Sequence, residues 1–169
     1  GTVMSLVDFE LPTTSNPVDT IEQVALSNDW SFERSGDDEI TISVTGGQSD
    51  YHLSFSWLDE FEALHLACAF DLKVPDTRRT EVCRLLAVVN ERMLMGHFDL
   101  WTEAGVIMYR QSLLLAGELV PTSAQIEGML SHAIETCELH FQAFQYVVWA
   151  GRSAAEALDA VLFETVGEA

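Results

Sequence analysis

Positive charge is what this sequence lacks most. Eight Lys and Arg stand against 27 Asp and Glu in 169 residues, Lys73 is the single lysine, and the formal net charge is −19. Nucleic acids and anionic lipid surfaces are held chiefly by attraction between cations and phosphate, so this balance sets both partner classes aside. It is explained either by solubility and suppression of wrong contacts or by attraction to a basic partner. Cysteine is also scarce. Cys68, Cys83 and Cys137 are odd in number and far apart, which is neither a disulfide framework nor a zinc pattern and suits a reducing cytoplasm.

Long apolar runs are missing as well. No window approaches the ~18 apolar residues of a membrane span. Residues 1–9 lack the basic stretch and apolar core of a signal peptide, and Met4, preceded by Gly1 to Val3, reads as the natural start. Reaction motifs are equally absent. Gly46-Gly47 has no following Lys-Ser/Thr and opens no helix, so it is not a phosphate loop. No Gly-x-Ser-x-Gly element occurs, and Ser, His and Asp carry no triad-like context. The acidic runs Asp37-Asp38-Glu39 and Asp59-Glu60-x-Glu62 lack the spacing of a calcium loop and fall where turns are expected. The expectation is a non-enzymatic protein without cofactor or metal.

What is present is enough for a core. Hydrophobic residues make up 48%, with 4 Trp and 9 Phe, and a chain of this length buries a core without a disulfide or metal. One domain over residues 4–169 is expected. Asn16 caps a first helix with Pro17 at its first position, and Val18, Ile21, Val24 and Ala25 on one face; it should end near Asn28-Asp29. Residues 39–45, 51–57 and 64–72 then alternate as strands, each with a large apolar face and a small or polar opposite face. Short connections predict antiparallel hairpins, hence a meander.

Pro75 opens a second helix, with Asp76 and Thr77 competing as its cap and Gly96 as its stop. Val82, Leu85, Leu86, Val89 and Met93 recur at helical spacing. Two more strands follow, 97–102 and 106–116, joined by Glu103-Ala104-Gly105. The run Leu113-Leu114-Leu115 is apolar on both faces and predicts a buried strand end. Thr122 and Gln125 form a capping box for a helix whose stripe runs from Ile126 through Cys137 and Phe141 to Val148, ending near Ala150. Ser153 caps a short final helix over 154–163, before a frayed end at Gly167, Glu168 and Ala169. The fold class is therefore α+β: an antiparallel meander flanked by helices in the order α-β-β-β-α-β-β-α, with a long C-terminal helix.

The histidines are the remaining chemical candidates. Cys137 and His140 share a helical face, but Cys137 belongs to the apolar stripe and reads as a buried, inert thiol. His65 and Cys68 lie on opposite faces of a strand and share no metal. His52 and His65 lie on one polar face together with Asp71, an arrangement open to acid–base work, metal binding or plain solvation. Two surfaces remain for binding. One is the polar sheet face, built from Thr41, Ser43, His52, Ser54, Ser56, His65, Ala67, Ala69 and Asp71, either free as a platform or covered by a helix or second subunit. The other is the second helix, a candidate dimer or partner helix. It carries Arg78, Arg79, Arg84 and Arg92 with the spare apolar positions Val88, Leu94 and Met95.

Asn16-Pro17 to Asp29-Trp30, Val89-Asn90-Glu91-Arg92, Gly96-His97-Phe98, the tail from Val148-Trp149-Ala150-Gly151-Arg152 to Leu158, and Thr165 to Ala169 resemble the YbjN-like family. Its members are proposed bacterial sensory-transduction regulators with a fold like that of type III secretion chaperones. The resemblance implies a dimeric, cytoplasmic, chaperone-like binder of a protein client, of bacterial type. It carries over no catalytic residue. The alternative is a small-molecule or metal-sensing domain using the His52, His65 and Asp71 face.

Overall fold

The computed structural model describes residues 16–168, with side chains through Val161. The expectations for residues 1–9 and for Met4 lie outside the described residues. Helix α1 is Pro17–Ser27, and Asn16 caps it as its spacing predicts, its Oδ1 accepting the Val18 N–H at 2.9 Å. Strands β2 (Glu39–Thr45), β3 (Asp50–Leu58) and β4 (Ala63–Lys73) form the expected antiparallel hairpins. A further strand precedes them, β1 (Ser31–Arg34), pairing with β2. Its pattern is hidden by Arg34, which occupies a half-buried position and pairs with Asp19 and Glu22 of α1 at 2.8 and 3.1 Å.

Helix α2 covers Arg79–Arg92 after a 3-10 turn at Asp76–Arg78, and neither Asp76 nor Thr77 caps it through its side chain. It ends at Met93, whose backbone is extended, before Gly96 is reached. Gly96 serves another purpose. Its φ is +72°, and a Cβ there would run into the Tyr109 phenol ring. Strands β5 (His97–Trp101) and β6 (Val106–Leu114) form a hairpin. The buried strand end expected at 113–115 is not found: Leu114 is 67% exposed and only Leu115 is buried. The alternation simply continues there, which sends Leu114 to the outer face.

Thr122 and Gln125 complete their capping box at the start of α3 (Ser123–Val148). The last helix, α4 (Ala154–Glu168), extends beyond the expected Phe163. Ser153 caps it, accepting the Glu156 N–H at 3.1 Å while Glu156 accepts the Ser153 N–H.

The sheet has six strands in the order β1-β2-β3-β4-β6-β5, all neighbours antiparallel. It is therefore a meander as far as β4. The chain then crosses through α2 to the far edge and returns, so that β6 lies between β4 and β5. Helices α1, α2 and α3 touch the sheet, and α4 packs on α2 and α3. Ile40, Ile42, Leu53, Phe55, Leu66, Ile107 and Tyr109 meet the buried faces of these helices. Where α3 crosses the sheet, Phe144 stacks on Phe70 at 5.9 Å and meets the Phe98 ring at 5.1 Å. Such aromatic pairs add about 0.5–1.5 kcal/mol each beyond their buried area.

Candidate binding surface

The core takes one residue of each alternating pair, and the other residue of the pair faces away from it. Thr41, Ser43, His52, Ser54, His65, Ala67, Ala69, Met108 and Arg110 all lie outside the core cluster, on the face opposite the helices. Strand register arranges them in rungs. One rung is Ser43, His52, Ala69, Met108 and Asp99; the next is Thr41, Ser54, Ala67, Arg110 and His97; a third is Glu39, Ser56, His65 and Ser112. With strands about 4.8 Å apart, a five-strand rung spans roughly 19 Å. Among the described residues no helix lies over this face. Small side chains fill its centre, and Leu58, Ala63 and Leu114 form an apolar rung at one end, with Leu58 and Leu114 exposed.

Hydrogen bonds tie the face together across strands. Thr41 and Ser54 hydroxyls are 3.0 Å apart, and the Ser43 hydroxyl is 3.1 Å from His52 Nδ1. The most organised part is on β4, β6 and β5. Arg110 donates from Nε to His65 Nε2 at 3.0 Å and from Nη1 to Asp99 Oδ2 at 2.8 Å, and His97 Nε2 lies 3.1 Å from the same carboxylate oxygen. Because His65 Nε2 accepts from a guanidinium, its proton sits on Nδ1. Burial chiefly, and then Arg110 and His97, hold the His65 imidazole below its ordinary value. For Asp99, burial alone would raise the carboxyl, but hydrogen bonds from Arg110 and His97 outweigh it and hold it low.

His52 and His65 lie on this face but do not converge with each other or with Asp71. His52 stands opposite Ala69, four residues along β4 from His65, and Asp71 lies beyond, at the irregular stretch of β4 between Ala69 and Lys73. Among the described residues no group of three His, Cys, Asp or Glu is placed to hold a metal ion. His65 is joined instead by Arg110, Asp99 and His97. A sequence signal for Arg110 existed in its alternation with Ile107 and Tyr109; the neighbour across the strand did not show. On α3, Cys137 is buried, and His140 Nδ1–H donates to the Thr136 carbonyl at 2.8 Å.

The basic side chains of the second candidate surface are largely engaged within the fold. Arg78 donates from Nε to the Val147 carbonyl at 2.8 Å and from Nη2 to the Arg152 carbonyl at 2.6 Å, closing the end of α3. Arg79 binds Asp76 and the Thr102 carbonyl, and Arg84 pairs with Glu81 at 2.7 Å. Arg92 is exposed and Val88 is half-buried. Leu94 and Met95 lie beyond the helix, the first 100% and the second 54% exposed. Among the described residues no helix is long and apolar enough to cross a membrane.

Known proteins bear on this arrangement. A search among curated proteins found no match. The crystal structure of YbjN from E. coli, called a putative transcription regulator, superposes with a TM-score of 0.54 at 14% identity, covering 72% of this chain and 86% of that one. This is a likeness of fold. The ExsC–ExsE complex has a chain that superposes with a TM-score of 0.42 at 16% identity, covering 65% of this chain and 77% of that one, too slight to carry a conclusion. Residues 17–146, from the first helical residue to the last turn of α3, match the family described as "Putative bacterial sensory transduction regulator", and the chain therefore belongs to the YbjN family.

Proposed function

We propose that this chain is a non-enzymatic regulatory module, a single domain, that binds another polypeptide in extended form on the open face of its sheet. The observation that carries this reading is the one-sided placement of the helices. A five-strand surface with Thr, Ser and Ala at its centre, a polar network on β4, β6 and β5, and exposed apolar residues at one end is left for a partner. Small side chains let a client backbone approach closely, and exposed apolar residues at the end supply anchors. The net charge of −19 favours a client of basic character. The module belongs in the cytoplasm on this reading, where unpaired thiols are ordinary.

Ala67 lies near the middle of the face and is 8% exposed, so Ala67→Arg places bulk under any bound segment. Ser131→Arg, at an exposed position on α3, adds the same charge elsewhere. Affinity capture followed by mass spectrometry should return a polypeptide client with wild type and Ser131→Arg, and lose it about tenfold or more with Ala67→Arg. A client retained equally by Ala67→Arg would refute the open-face reading.

A homodimer through the end of α2 is a second part of the proposal, supported by the full exposure of Leu94 and the half exposure of Met95 beside Arg92 and Val88. Light scattering at micromolar concentration should give twice the chain mass, falling to the chain mass in Leu94→Glu/Met95→Glu. A wild-type monomer would end this part of the reading.

A further inference from the structure

Cys68 of β4 and Cys137 of α3 are 69 residues apart in sequence, yet their sulfur atoms lie 4.0 Å from each other in the core. Both side chains are 0% exposed. The third cysteine, Cys83 on α2, is exposed and stands apart. The pair sits where the long helix crosses the middle of the sheet, between the Leu53 and Tyr109 strands that flank Cys68 in register. We propose that Cys68 and Cys137 are a redox-modification site, a dithiol that a peroxide-class oxidant converts to a disulfide locking α3 to β4.

The geometry favours this pairing over any other in the chain. A disulfide needs its sulfurs about 2.05 Å apart, so a gap of roughly 2 Å is left for the bond to close. In the packed state hydrogen bonding to Cys68 and burial push the Cys137 thiol far above its ordinary value. Attack requires the thiolate, and the pair therefore stays reduced until α3 loosens from the sheet and admits oxidant. The chemistry balances in two steps. One thiolate attacks a peroxide oxygen, breaking the O–O bond and leaving a sulfenic acid and, after protonation, one water. The second thiol then attacks that sulfur, forming S–S and releasing the second water. Two thiols lose two electrons and two protons, and hydrogen peroxide is reduced to two waters.

Oxidation would thereby record a transient opening of the core and hold the helix closed afterwards. The inference does not depend on the open face being a binding surface. Its test uses the Cys83→Ser protein, whose change is at an exposed site, treated with hydrogen peroxide, denatured, alkylated with a maleimide and weighed intact. The expected result is no adduct, a mass lower by about 2 Da than the reduced chain, and two adducts after dithiothreitol. Proteolysis should release a peptide joining Cys68 to Cys137. In urea, the oxidised protein should unfold at a higher midpoint than the reduced one. Two maleimide adducts after peroxide, or adducts lost only to over-oxidation without the linked peptide, would overturn the site. Equal midpoints would overturn the lock.

Discussion

Tyr51 donates its phenolic hydrogen to Glu138 Oε2 at 2.6 Å, joining β3 to the middle of the long helix. The same carboxylate accepts the Gly47 N–H at 2.6 Å and the Gln48 N–H at 3.2 Å, so one side chain of α3 also closes the turn between β2 and β3. Hydrogen bonds to a charged partner contribute about 1.5–3 kcal/mol each. Glu138→Ala should lower stability by roughly 2–3 kcal/mol, and Tyr51→Phe by about 1–2 kcal/mol, in urea unfolding. The double variant should cost less than the sum of the two, because each change removes the same bond. Strict additivity would show that the contact contributes nothing.

Gly96 carries a prediction of its own. Alanine at this position meets the Tyr109 phenol and must also hold a φ of +72°, two penalties of which the backbone one alone is about 1 kcal/mol. Gly96→Ala should destabilise by more than 2 kcal/mol, read as a lower thermal midpoint. In a Tyr109→Leu background, which removes the phenol, the penalty should shrink toward the backbone cost.

The end of α3 depends on Arg78 in the same way. Its guanidinium satisfies the carbonyl of Val147, an acceptor left without an intrahelical partner at the C-terminus of α3, and that of Arg152 in the link to α4. Arg78→Met keeps much of the stem and removes the donors. Hydrogen exchange over residues 147–154 should accelerate about tenfold while the exchange of β3 and β4 is unchanged. Acceleration throughout the chain, or none, would mean that the contact is not a local clamp.

Acid should loosen the adjoining helix first. Glu81 on α2 accepts the Ala154 N–H at 2.9 Å, at the start of α4. That bond is the main cause of its lowered pKa; burial opposes it, and Arg84 adds to the lowering. Glu156 is lowered chiefly by the Ser153 N–H and hydroxyl. A depressed carboxyl stabilises the fold fully above its unfolded value and loses that contribution as pH falls through the folded value. Protection at the Ala154 amide should therefore hold down to the ordinary value of 4.5 and decline below it. Glu81→Gln should flatten this dependence. Unaltered decline in Glu81→Gln would assign it to other groups.

On the open face, His65 should titrate below its ordinary 6.5 in a proton NMR experiment. Its neutral form accepts from Arg110, so the network is complete above 6.5 and is lost as pH falls through the lowered value. Arg110→Gln should raise the midpoint only part of the way, since burial is the larger cause. A midpoint at or above 6.5 in wild type would contradict the network.

Much of this architecture is legible residue by residue. Asn16-Pro17, the Thr122–Gln125 box and Ser153 each satisfy orphan backbone groups locally, and local chemistry needs no knowledge of the rest of the chain. The alternation of 39–45, 51–57 and 64–72 likewise reports one buried face. What alternation does not report is which strand lies alongside. His65 met Arg110 because β6 returns beside β4, and Cys68 met Cys137 because α3 crosses at that height. Arg78 reads as part of a partner helix and Glu138 gives no signal, although each closes another element, because a carbonyl or turn amide that needs a partner leaves no mark on the side chain that supplies it. β1 was hidden by Arg34, a charge at an inward position whose partners, Asp19 and Glu22, lie on α1.

The return of β6 to β4 also governs how the chain must fold. Residues 31–73 can zip as successive hairpins, and β5 with β6 can close separately, since both are contacts between near neighbours. Joining the halves requires the loop from Lys73 to Val106 to close around α2, the slow and entropically costly event. Substitutions along the β4–β6 seam, such as Ala67 or Cys68, should therefore act on the folding rate, while those in β1 act on unfolding.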